Sequence, residues 1–145
     1  MKITSEKIRN IKSCFLYVAF SVSDILPFAK LIYPNGTQRY VSSSYFTTFS
    51  STVLFAMFAI MILTDCFYNK NFGKLSFVKK PIFNVFASSL ALYAFYEMTY
   101  PLNEIIYGDV IVEKNIFYYL SYILLSIIVL LNIIEWICEK KENKF

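Results

Sequence analysis

The chain contains no histidine. That removes the commonest general base and the commonest zinc and copper ligand. Glycine is scarce, at three residues, so a Gly-rich phosphate loop is excluded. The three cysteines, Cys14, Cys66 and Cys138, lie far apart and form no Cys-x-x-Cys pair, so the usual metal and redox spacings fail. No nucleophile elbow, paired-carboxylate motif or metal-ligand cluster is present. An enzyme is therefore the least supported class, and no cofactor or metal is expected.

What the chain has in excess is apolar and aromatic side chains. Of 145 residues, 57% are hydrophobic and 19% aromatic. Ordinary globular domains run at ~45–50% apolar, and a short chain has little interior in which to hide the surplus. Four apolar segments of about 20 residues each match the ~30 Å of a hydrocarbon core. They cover residues 13–33, 47–67, 81–100 and 116–138. The first is interrupted by Asp24, Pro27 and Lys30. The third opens at Pro81 and closes at Pro101. The predicted fold is an all-α membrane protein, a single transmembrane domain over residues 1–145. Its four transmembrane helices would form a small antiparallel bundle. The N-terminal segment lacks a small-x-small cleavage pattern, so it is taken as a span and not a removed signal.

Basic residues fall unevenly between these segments. Lys2, Lys7, Arg9 and Lys12 precede the first, Lys70, Lys74, Lys79 and Lys80 separate the second from the third, and Lys140, Lys141 and Lys144 follow the fourth. The other two connections hold only Arg39 and Lys114. Under the positive-inside rule this asymmetry puts both termini in the cytoplasm. The localisation that follows is a multi-pass protein of the cell inner (plasma) membrane.

Small and polar residues recur at helical spacing and would form packing stripes. The second segment offers Thr48, Thr52, Ala56 and Ala59. The third offers Asn84, Ala87, Ser88, Ala91 and Ala94. The fourth offers Tyr119, Tyr122 and Ser126. Three charged residues stand out as candidate intramembrane contacts. Asp24 lies mid-segment, where a carboxylate costs at least ~2.5 kcal/mol unless partnered or protonated. Lys30 and Glu97 fall at matching depth and are candidates to pair. Asp65 and Glu135 lie at segment ends and read as solvated among lysines. Asn35-Gly36-Thr37 reads as a turn. Lys70, Lys74, Lys79 and Lys80, interleaved with Phe72, Leu75 and Phe77, are a candidate contact for a cytoplasmic partner or for anionic lipid. Nucleic acid is disfavoured, because no aromatic-platform fold accompanies the lysines.

In size and span pattern, though in no motif, the chain resembles the small multi-span immunity proteins that protect bacteria from pore-forming bacteriocins. It is similarly close to four-span membrane subunits of phage-defence complexes. The resemblance implies a non-enzymatic inner-membrane immunity or defence protein. It would act by helix–helix contact on a toxin, or would anchor a defence-complex subunit. A small oligomeric transporter or channel using Asp24 is the alternative. The expected partners are membrane lipid, a protein (toxin or defence subunit) and a second copy in a homo-oligomer.

Overall fold

The structure, a computed structural model, describes residues 3–43, 49–104 and 110–143, without the side chains of 101–104. It is a mixed α/β arrangement. Helix α1 spans Ser5–Phe20 and continues as one π-helical turn, Ser21–Ile25. Strands β1 (Ala29–Ile32) and β2 (Gln38–Val41) follow. Helix α2 covers Phe49–Cys66, a 3₁₀ helix covers Gly73–Lys79, and α3 covers Pro81–Glu104. Strand β3 (Ile111–Lys114) leads into α4 (Ile116–Asn143).

The all-α four-span bundle is overturned at the first segment. Helix α1 starts at Thr4, whose hydroxyl accepts from the Lys7 amide at 3.3 Å, as an N-cap should. It cannot continue to residue 33, because Pro27 disfavours helical backbone at the residue before it. Leu26 is accordingly extended, at φ −79° and ψ 146°, and its amide bonds back five residues to the Ser21 carbonyl at 2.9 Å. The chain then becomes strand. Lys30, placed in a helix by hydropathy, sits in the middle of β1.

The sheet has the order β2-β1-β3 and is antiparallel throughout. Asn35-Gly36-Thr37 is a turn between strands, not between helices. The Gly36 amide donates to the Tyr33 carbonyl at 3.0 Å, and Asn35 accepts from the Thr37 amide at 2.9 Å. Gly36 has φ +86°, a conformation in which glycine has no side-chain clash. Strand alternation buries Ala29 and Leu31 beside Phe28 and Val41. Phe28, just before β1, meets Phe95 of α3 edge-to-face at 5.5 Å, and Phe95 in turn meets Tyr122 of α4 at 4.9 Å.

Among the helices, α2 packs on α3, α3 on α4, and α1 on α4. The small-residue stripe of α3 is buried in full, from Asn84 through Ala94. On α2 the inward residues are instead Leu54, Phe58, Met61 and Thr64, spaced by four, three and three. On α4 they are Tyr118, Ser121, Leu124, Leu125, Ile128, Asn132 and Glu135, so Tyr119 and Ser126 face outward. Helix α3 runs past Pro101 to Glu104. Thr48 lies outside the described residues.

Among the described residues, two helices and not four are long and apolar enough to cross a membrane, α2 and α4. Helix α1 is 16 residues long and carries Glu6, Lys7, Arg9 and Lys12. Helix α3 is diluted by Asn84, Ser88, Ser89, Glu97 and Thr99. Large apolar side chains nevertheless remain on the outer faces, including Phe55 and Leu63 of α2 and Ile123, Leu130 and Ile137 of α4.

Asn115 joins the sheet to α4. Its side-chain amide donates to the Pro27 carbonyl at 2.9 Å, while its carbonyl oxygen caps the Phe117 amide at 2.9 Å. Asn115→Ala should lower stability by ~1–2 kcal/mol, the usual worth of a lost cap. Denaturant unfolding of the two proteins measures this, and an unchanged midpoint would show that the junction does not depend on Asn115.

Candidate functional site

The N-terminal half of α1, the ends of α2 and α4 and the start of α3 meet at a polar pole. Its base is a buried ion pair. Lys12 Nζ on α1 donates to Glu135 Oε2 on α4 at 2.7 Å and to Asn132 Oδ1 at 2.8 Å. Glu135 is 1% exposed and Asn132 fully buried. Asn132 Nδ2 in turn donates to the Asn84 carbonyl at 3.1 Å and to Ser88 Oγ at 3.0 Å on α3. The network therefore ties three helices together. In a low-dielectric interior such groups are stable only when satisfied by one another.

Glu135 reads in sequence as a solvated acid at a segment end; in the fold it is buried as the acid of this network. The signal was present in part. Asn132 and Glu135 are three apart and so share a helix face. Nothing in the order of residues, however, says that Lys12, over a hundred positions earlier, would meet that face.

Asp65, also expected to be solvated, is held from α1. Ser13 Oγ donates to Oδ1, and Tyr17 donates to Oδ2 at 3.2 Å. Tyr17 also lies 3.1 Å from Cys66 Sγ. The Cys66 contact, with burial and the Asp65 charge behind it, pushes the Tyr17 phenol up from its ordinary value. Above Asp65, the Arg9 guanidinium stacks on the Tyr68 ring at 4.0 Å. Burial raises the Tyr68 phenol while the Arg9 charge opposes the shift. Lys79 approaches the same ring at 5.6 Å and Phe72 at 4.6 Å, and donates to the Lys70 carbonyl.

These residues border two adjoining open spaces. A narrow one of about 20 Å³ is lined by Arg9, Lys12, Asp65, Asn84, Asn132 and Glu135 among others. It has room for about one water. A wider cleft of about 380 Å³ lies between Glu6, Arg9, Asn10, Asp65, Tyr68 and Asn69.

The three singled-out intramembrane contacts do not come together here. Lys30 in β1 pairs with Glu113 of β3 at 3.5 Å, the residue opposite it in the sheet register. Glu97 is exposed on α3 beside Tyr93, whose phenol it pushes up. Asp24 lies in the π-helical turn, half-buried, with Oδ2 lacking a hydrogen-bond partner among the described residues; fully buried Ser23 Oγ next to it also lacks one. Of the basic segment, Lys70, Lys74 and Lys80 are exposed, and Lys79 is half-buried.

The inner-membrane multi-pass placement rested on four crossings, as did the bacteriocin-immunity, phage-defence and Asp24-transporter readings. With two candidate helices, a three-stranded sheet and a buried polar network, that basis is gone, and none of these assignments is retained. No protein-family model, curated protein or solved structure matches the chain. Among the described residues no group of three or more Cys, Asp or Glu is disposed to hold a metal ion.

Lys12→Met leaves Glu135 buried without its partner and should cost ~3–5 kcal/mol, whereas Lys12→Met with Glu135→Leu should recover most of the loss. Denaturant unfolding of both single variants and the double variant tests this. Additive losses would show that the two charges are not coupled.

Burial raises the Asp24 carboxyl above 3.8, and the Ser43 hydroxyl offsets this in part. The folded state therefore holds this proton more tightly than the unfolded chain. The resulting stability is complete at pH below 3.8 and declines as pH rises through the folded value. Asp24→Asn should flatten that decline in a series of thermal melts across pH. Parallel melting-temperature profiles would remove Asp24 as its source.

Proposed function

We propose that this is a non-enzymatic interaction protein whose basic pole receives an acidic segment of a protein partner. One observation carries the reading. The 3₁₀ helix Gly73–Lys79 buries none of its own residues and displays Leu75 and Phe77, 61% and 45% exposed, between Lys74 and Lys80. Phe77 meets Phe83 edge-to-face at 5.3 Å, yet Leu75 and Phe77 keep about half of their surface in water, where a 3₁₀ turn gains little from holding them. Apolar residues ringed by cations suit a partner that supplies both an apolar anchor and carboxylates. Lys140 and Lys141, in the last turn of α4, add positive charge.

The partner would be steered by charge and held by the apolar pair. Rim charges mainly set association rate and salt dependence, whereas desolvated apolar anchors set residence time. Lys79 is engaged with Lys70, Phe72 and Tyr68, so it serves to brace the segment.

A photo-crosslinking residue at position 77, used in the cells that make the protein, tests the reading. One protein should be captured. Its capture should fall at least tenfold when Lys70, Lys74 and Lys80 are changed to Gln, and should weaken as salt is raised. Equal capture by the triple variant, or binding to anionic lipid vesicles in place of a protein, would overturn the assignment.

A further inference from the structure

The wider cleft is not used by the docking face, and its chemistry is specific. One wall is α1, which contributes Glu6, Arg9 and Asn10; the other is the end of α2 and the turn after it, with Asp65, Tyr68 and Asn69. We propose that this cleft binds a small zwitterion of the amino-acid type.

The argument begins with Arg9. Its guanidinium face is taken up by stacking on Tyr68 at 4.0 Å, which leaves the N–H edge free to donate. Among the described residues no carboxylate lies within ion-pairing distance of it. A planar, held guanidinium with open donors is suited to a carboxylate, which it can bind through two parallel hydrogen bonds. The opposite charge is supplied by Glu6 at the exposed rim and by Asp65 deeper in. Asp65 is fixed in place by Ser13 and Tyr17, so its position does not depend on ligand. Asn10 and Asn69 add neutral donors and acceptors.

A simple anion would meet two carboxylates in this cleft, and a simple cation would meet Arg9. A ligand carrying an ammonium and a carboxylate a few ångströms apart satisfies both. The cleft, at about 380 Å³, is at the small end of the ~300–1,000 Å³ of ordinary ligand pockets and leaves space for a modest side chain. The narrow space shares Arg9, Asp65 and Tyr68 with this cleft and is also lined by the bonded pair Lys12 and Glu135.

Calorimetric titration of the full chain with glycine, L-glutamine and L-phenylalanine tests the proposal, with acetate and methylammonium as single-charge controls. At least one amino acid should bind tenfold or more tightly than both controls. Arg9→Gln and Glu6→Gln should each weaken it, the first by tenfold or more. Glu6 is exposed, so its variant keeps the test valid if Arg9→Gln disturbs folding. Binding no better than the controls, or binding unmoved by both variants, overturns the proposal. Neither variant touches Lys70, Lys74 or Lys80, so failure here leaves partner docking to stand or fall on its own test.

Discussion

The bond between Lys12 and Glu135 joins the first helix to the last across most of the chain. It does so in an interior where neither charge would be tolerated alone. Its geometry is exacting: Lys12 reaches both Glu135 and Asn132, and Asn132 reaches on to α3. A shift of either helix by one turn would strand a buried ion. The pair thus restricts the relative placement of α1, α3 and α4 more sharply than the apolar contacts around it, which tolerate sliding.

From this anchor the two ends of the molecule differ in character. At one end the helix termini bring together Arg9, Asp65, Tyr68 and Lys79 with the basic 3₁₀ turn, producing a charged cleft beside an exposed cationic and apolar surface. Ser5 is also hydrogen-bonded to Glu142 at this end, at 2.9 and 2.8 Å, tying the start of α1 to the end of α4. At the other end, Pro27 ends the helix and the sheet replaces it. Phe28, Phe95 and the tyrosines of α4 fill the space between sheet and helices. Asp24 sits at that transition, where a π-helical turn absorbs the mismatch between helix and strand.

Hydropathy read along the chain treats every apolar run as equivalent, and this is where it misled. In the first segment Asp24, Pro27 and Lys30 interrupt the apolar run, and average hydropathy carries a helix across them. They mark a real boundary: Pro27 stops helical backbone, and Lys30 is half of a cross-strand pair. Short strands such as Ala29–Ile32 and Gln38–Val41 carry little periodic signal of their own. They acquire identity only from partners, one of which, β3, lies some eighty residues away.

Sequence alone determined local outcomes. These include the turn at Asn35-Gly36-Thr37, the start of α3 at Pro81, the buried small-residue stripe of α3, and the concentration of lysines in three separate stretches. Each follows from backbone preference or spacing within a few residues. Tertiary structure decided which polar groups are buried and what they face. Glu135 and Asp65 look like surface acids until α1 is laid beside α4 and α2, and Arg9 finds Tyr68 only in that packing. Desolvation and pairing depend on distance in space, and residue order does not encode that distance until the chain has folded.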